Sequence, residues 1–385
     1  MTGPAPRARA VLMVTTVAST LRAFLLPFAA HFRAAGWRVD ALAAGAPDDA
    51  ACVAAFDRVH DSRWTRSPYR LLRNLRGMRT FRAVVRAGDY DVVHVHTPVA
   101  AFFGRLGLAG IARSQRPRVV YTAHGFHFHE ERSVLGNWMF RTAERIARRW
   151  TDHLVVINDD DLAAARAHHL VPRDGVTLIR GIGIDLRRYD PTAVPDDAVS
   201  ALRTDLGLSA GDRVVLMVAE LVPRKGHATA LEAFARLDRD DVHLVLAGAG
   251  PEERRVRARA QATRVADRVH VLGLRDDVPA LLRVADVTLL PSVQEGMPRV
   301  ILESMSMGVP VVGSRIRGIR DLVGDDECGI LCPVGDSGAV ATAIATLLDD
   351  PGRAAALGGR GRERVTAFTL DRVLDAYDQL YREAQ

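Results

Sequence analysis

The chain has 385 residues, 48% hydrophobic and 25% charged, with a formal net charge of +6. That length exceeds one ordinary core and suits two domains, and the composition excludes a disordered, collagenous or low-complexity chain. Three cysteines, Cys52, Cys328 and Cys332, are too few for a disulfide framework and lack the partners of a zinc site, which points to a reducing, cytosolic setting.

In chain order, Arg7 and Arg9 precede an apolar run that starts like a signal peptide, but Thr15, Thr16, Ser19 and Thr20 interrupt it, so it reads as a first strand. A helix around 24–36 stops at Gly36, and a second strand covers 37–42. Strand and helix then alternate: strand 92–95, a helix to about 112, strand 118–122, a helix to about 150, strand 153–157, and a helix from Asp159. Such alternation implies a parallel sheet covered by helices. It starts again at 213–218, continues through 242–247, 268–272, 285–291 and 309–313, and ends in helices after Asp336. The Pro- and Asp-rich stretch 190–211 is the expected linker. No apolar run reaches the roughly 18 residues of a membrane span, so any membrane contact is expected to be peripheral.

Between 62 and 86 there is no acidic residue, while Arg63, Arg66, Arg70, Arg73, Arg76, Arg79, Arg82 and Arg86 recur and Leu71, Leu72, Leu75, Met78, Phe81, Val84 and Val85 supply an apolar stripe. A basic amphipathic helix of this kind suits an anionic membrane surface; the plain alternative is a solvated face. Nucleic acid is excluded as partner, because no recognition module and little aromatic interleaving accompany the charge.

Tyr121-Thr-Ala-His124-Gly-Phe-His127-Phe-His129 places three histidines behind a strand. Imidazoles bind metals well, but no cysteine or further well-spaced ligand completes a site. His124 stands at the strand's C-terminal end, and His94 and His96, at the end of the neighbouring strand, either assist it or, more commonly for such residues, are satisfied core histidines. Asn158-Asp-Asp-Asp161 is a helix cap with favourable charge in the first turn rather than a manganese signature.

The only lysine in the chain is Lys225; every other basic residue is arginine. A compact ammonium fits a tight phosphate pocket that a broad guanidinium does not, and Lys225 follows the first strand of the second domain, where open α/β sheets bind ligands. Chance survival of one lysine is the competing reading. Further on, Pro298 suits the first position of a helix that Gly308 stops, with Glu295 on the preceding loop and Glu303 inside the helix. A helix N-terminus flanked by two carboxylates suits a phosphate whose neighbours carry hydroxyl groups.

Glu295 and Glu303, with seven residues between them in EGMPRVILESMSMGVPVV, resemble the donor-sugar motif of the family 4 retaining glycosyltransferases. The resemblance implies an α/β chain of the GT-B fold, two Rossmann-like domains facing each other across a cleft: 1–190, completed by the helix 370–385, for the acceptor, and 205–369 for the nucleotide sugar. It implies that Glu295 and His124 contact the transferred sugar, that Glu303 holds the ribose, and that Gly296, Met297 and Pro298 approach sugar and phosphate. Arg224-Lys225-Gly226-His227 is similar to the family's diphosphate loop, although Glu220 stands where the commonest pattern has arginine. Leu272-Gly-Leu274-Arg275-Asp-Asp277 resembles the segment whose backbone reads the base in this family.

Asn137-Trp-Met-Phe and Gly181-Ile-Gly-Ile-Asp185 are similar to surface-polysaccharide members. The resemblance thus implies a retaining, metal-independent hexosyl or N-acetylhexosaminyl transfer, without cofactor, from a nucleotide sugar, expected to be a UDP-sugar. The acceptor implied is a lipid-linked glycan precursor at the cytoplasmic face of the cell membrane. A nucleotide-sugar 2-epimerase of the same fold and a non-catalytic nucleotide-sugar binder are the alternatives.

Overall fold

The computed structural model describes residues 8–126, 128 and 133–383. The chain divides into two compact units, Met1–Ile182 with Val373–Gln385, and Gly183–Arg372. The first holds a parallel sheet of strands β1 (Ala10–Val17), β2 (Arg38–Ala44), β3 (Arg58–His60), β4 (Val92–Val95), β5 (Arg118–Ala123), β6 (His153–Val156) and β7 (Val176–Leu178), in the order β3-β2-β1-β4-β5-β6-β7. β4, β5 and β6 are almost wholly buried, because helices cover both faces and leave no polar side to alternate with. The chain winds outward from β1 to β3 and returns to β4, so its direction reverses between β1 and β4.

The C-terminal helix Leu370–Arg382 buries Val373, Leu374, Tyr377, Leu380 and Tyr381, one face at helical spacing. In the first unit, Tyr381 stacks on Phe32 with ring centroids 4.8 Å apart, and Tyr377 meets Phe28 edge-on at 5.4 Å. The arginine-rich segment forms the helix Leu71–Gly88, but its apolar stripe is divided. Phe81 and Val85 enter the core with Asn74 and Gly77, whereas Leu71, Leu72 and Leu75 are exposed. Gly77 permits this seating, since a Cβ there would lie 2.2 Å from the Trp64 ring.

The second unit holds β8 (Arg213–Val218), β9 (Val242–Ala247), β10 (Val269–Gly273), β11 (Val287–Leu290), β12 (Val311–Ser314) and β13 (Gly329–Cys332), again parallel, in the order β10-β9-β8-β11-β12-β13. The stretch 190–211 differs from the linker expected of it. It carries the helix Asp196–Asp205 and sends Val194, Leu202 and Leu206 into this unit's core; its Pro195-Asp196-Asp197 run starts that helix with acidic residues in the first turn. All three cysteines are free and buried. Among the described residues no helix is long and apolar enough to cross a membrane.

Candidate active site

In the second unit, β8 and β11 are sheet neighbours although the chain visits β9 and β10 between them. Open parallel sheets form their crevice at such a reversal, beyond the strands' C-terminal ends. The segments leaving β8 and β11 meet there. Gly226 has φ +75°, and a Cβ on it would stand 2.0 Å from the Pro291 carbonyl oxygen, so the two segments touch only because this residue is glycine. The Val293 N–H donates to the Arg224 carbonyl at 2.8 Å.

This contact brings together residues 70 apart in sequence. Lys225 Nζ donates to Glu295 Oε1 at 2.6 Å, with the two side chains 14% and 7% exposed. Arg224 lies 4.0 Å from the other Glu295 oxygen and 3.6 Å from Glu220, both within ion-pair reach. Two cations therefore face two carboxylates, and a diphosphate added here must draw on donors beyond that balanced set. The helix Arg299–Ser306 begins shortly after the Glu295 loop, and a helix N-terminus carries unpaired N–H groups of the kind that bind anions. Pro298 occupies the cap, extended at φ −72° and ψ 116°, one place before the first helical position assigned to it from the sequence.

Glu303 is buried on that helix and pairs with Arg299 Nε at 2.8 Å. It also accepts a hydrogen bond from the Tyr189 phenol; burial first, then this carboxylate, hold that phenol's pKa far above the usual tyrosine value. Ser306 Oγ donates to the Tyr189 carbonyl at 2.7 Å, fixing the same residue from a second side. Sequence reasoning missed Tyr189, which lies only four residues beyond the Gly181-Ile-Gly-Ile-Asp185 motif. Arg275 is held by Asp277, its Nε donating at 2.8 Å, and Leu274 is exposed. Two more polar groups of this unit were not singled out: His227 Nε2 and Ser292 Oγ are buried without a hydrogen-bond partner among the described residues. Burial, then the Lys225 charge, lowers the His227 pKa to about 4, so its ring is neutral near pH 7.

In the first unit, His124 follows β5 and is half-buried. Its Nε2 lies 3.0 Å from His96 Nδ1, and the two rings are stacked at 5.3 Å. Burial lowers the pKa of both, which favours neutral rings. His96 is thus more than a satisfied core residue: it is 2% exposed, touches His124, and leaves its Nε2 unpartnered among the described residues. His94 is satisfied, bonded to the Tyr381 hydroxyl and, at 2.7 Å, to Thr122. Asn158 caps the helix Asp159–Ala167 through the Asp161 N–H, and Asp161 accepts from the Phe126 N–H at 3.3 Å, tethering the segment after His124. His127 and His129 lie outside the described residues. Among the described residues, no three His, Cys, Asp or Glu side chains group as metal ligands.

Residues 23–188 match the model described as Glycosyltransferase Family 4, and 199–364 the one described as Glycosyl transferases group 1. A putative glycosyltransferase of Bacillus subtilis, EpsD, is 31% identical over 374 residues, covering 96% of each chain. The UDP-Gal:alpha-D-GlcNAc-diphosphoundecaprenol alpha-1,3-galactosyltransferase of Escherichia coli is 28% identical, over 73% of this chain and 72% of the relative. Among solved structures, Anabaena HepE in complex with UDP-glucose superposes with a TM-score of 0.77 at 21% identity, covering 97% of this chain and 99% of its own. These relatives favour neither an epimerase nor a non-catalytic binder.

Proposed function

Since the chain belongs to glycosyltransferase family 4, and is therefore a GT-B glycosyltransferase of polysaccharide biosynthesis, we propose that it moves a hexosyl or N-acetylhexosaminyl unit from a UDP-sugar to a lipid-linked glycan precursor. One observation carries the reading: Lys225 and Glu295 stand 2.6 Å apart before the N-terminus of the helix Arg299–Ser306. This supports reading the crevice as one that combines a phosphate ligand, an acceptor for sugar hydroxyl groups and a partial positive charge. The donor and acceptor named for the Escherichia coli relative, and the ligand named for Anabaena HepE, support the choice of UDP-sugar and lipid carrier.

In this reading Lys225 and Arg224 bind the diphosphate, with Gly296, Met297 and Pro298 close to it. Glu303 and Tyr189 receive the ribose, the backbone at Leu274 and Arg275 receives the base, and Glu295 and His124 hold the transferred sugar. Residues 205–369 form the donor domain, and 1–190 with the terminal helix form the acceptor domain. The bond from the anomeric carbon to the diphosphate oxygen breaks on the face where the acceptor oxygen attaches, so configuration is retained. The acceptor proton passes to the departing diphosphate. Electrostatic stabilisation of that leaving group supplies most of the rate, without a metal. The helix Leu71–Gly88 and its arginines hold the protein on the inner face of an anionic membrane.

A panel of UDP-glucose, UDP-galactose, UDP-N-acetylglucosamine, UDP-N-acetylgalactosamine and GDP-mannose, scored by thermal shift, tests the donor class; a ligand at 100 times its Kd adds about 2.7 kcal/mol. A shift with GDP-mannose and none with UDP or its sugars overturns the assignment. Incubating the bound donor without acceptor must yield no isomeric sugar.

A further inference from the structure

The helix Val134–Ala147 presents apolar side chains to solvent that the proposed chemistry does not use. Val134 is 84% exposed, Leu135 74%, Trp138 63% and Met139 39%, all within its first two turns. Spacings of one, three and four residues put them on a single face. Beyond that tip the character changes to basic, with Arg145, Arg148 and Arg149 exposed, and the helix's one acidic residue, Glu144, is paired with Arg105 at 2.8 Å.

A second tip of the same kind stands nearby. The helix Leu71–Gly88 begins with exposed Leu71, Leu72 and Leu75, preceded by Tyr69 at 76% exposure, among Arg70, Arg73 and Arg76. The helix Pro98–Gly107 packs between the two helices. Two helix spacings put their axes about 20 Å apart. One helix follows β3 and the other β5 in a wholly parallel sheet, so both start at the strands' C-terminal end. That end is also where His124 leaves β5.

We infer that the first two turns of the helix Val134–Ala147 enter the apolar layer of an anionic bilayer, beside the leucines that open the helix Leu71–Gly88, while the arginines of both helices meet lipid phosphates. The inference deepens the membrane reading above and rests on it. Charge complementarity selects this occupant. A second copy of the chain would set arginine against arginine, and a nucleic acid would use the arginines but leave Trp138, Leu135 and Leu72 in water. The arrangement sets the C-terminal end of the first sheet toward the lipid, where a lipid-linked acceptor arrives.

Trp138 provides its own reporter, since Trp37 and Trp64 are buried and Trp150 is half-buried. Vesicles of phosphatidylcholine and phosphatidylglycerol, some with brominated acyl chains, are added to the full chain while cosedimentation and tryptophan emission are followed. Expected are cosedimentation, a blue shift and bromine quenching. Trp138→Phe should remove both optical signals yet still cosediment, and Leu135→Glu with Trp138→Glu should weaken binding at least about tenfold with an unchanged circular dichroism melt.

Cosedimentation with an unshifted, unquenched Trp138 overturns this inference and leaves attachment through the arginines standing. No cosedimentation overturns both. A blue shift with single-stranded RNA and none with vesicles reassigns the surface to nucleic acid, and a dimer by light scattering that Trp138→Glu dissociates reassigns it to a second copy.

Discussion

Replacing Glu295 by Gln is expected to tighten the binding of UDP while slowing sugar transfer. In the resting protein the carboxylate holds Lys225 at 2.6 Å, and the two groups are only 7% and 14% exposed, so solvent screens the pair weakly. The gross attraction of such charges is about 4 kcal/mol at an effective dielectric of 20 and a 4 Å separation. Desolvation and side-chain ordering offset most of it, leaving a net value of about 1 kcal/mol. In the proposed function UDP recruits Lys225 to its phosphates and weakens that pair. Glutamine keeps the shape but not the charge, so UDP should bind about fivefold more tightly. UDP has no sugar, hence nothing is lost on that side; the UDP-sugar does lose a carboxylate partner, and kcat should fall. Lys225→Met should weaken UDP by roughly 1.5–3 kcal/mol, as expected for hydrogen bonds to a charged group. Calorimetric titration with UDP and initial rates with the UDP-sugar measure the two sides. UDP affinity at least tenfold weaker in Glu295→Gln, or unchanged in Lys225→Met, would refute the argument that phosphate and Glu295 share one lysine.

Glu303→Ala should weaken UDP by about 1–3 kcal/mol and also lower the melting temperature, because Tyr189 and Arg299 lose a buried acceptor; normal UDP affinity removes the ribose role. An amine-acetylating reagent meets only Lys225 and the α-amino group, so activity should decline in step with Lys225 modification and UDP should protect it; full activity after modification dismisses the phosphate role. His124→Ala should depress turnover far more than UDP affinity, and a parental transfer rate would count against its contact with the sugar. His94, His96 and His227 are held neutral chiefly by burial, with pKa values lowered from 6.5, that of His227 to about 4. Below pH 6.5 the unfolded chain takes up protons that these rings refuse, so their stability contribution is complete above that pH and declines as pH falls from 6.5 toward 4. The slope is about 1.4 kcal/mol per pH unit for each fully shifted ring, and equal urea stabilities at pH 7 and pH 5 would contradict it.

Much of this protein is determined locally and is therefore visible in the sequence. Continuous Val and Leu runs announce strands buried on both faces, because helices must cover both sides of a parallel sheet; β4, β9 and β12 all arise this way. Gly308 ends the motif helix at φ +74°, and the solitary lysine needs no structure to be noticed. What the sequence leaves undecided is which distant residues meet and which side of a helix faces inward. Lys225 finds Glu295 because strand order makes β8 and β11 neighbours, a nonlocal choice that no spacing encodes. His96 reaches His124 by the same kind of sheet-level adjacency, since β4 pairs with β5, whereas Tyr189, in a turn outside the sheet, reaches Glu303 by packing against the helix Arg299–Ser306. On the helix Leu71–Gly88, leucine and phenylalanine look equally apolar in one dimension. Only the seating of Gly77 against Trp64 turns Phe81 inward and leaves Leu72 in water, because packing chooses between faces that hydrophobicity alone ranks as equals.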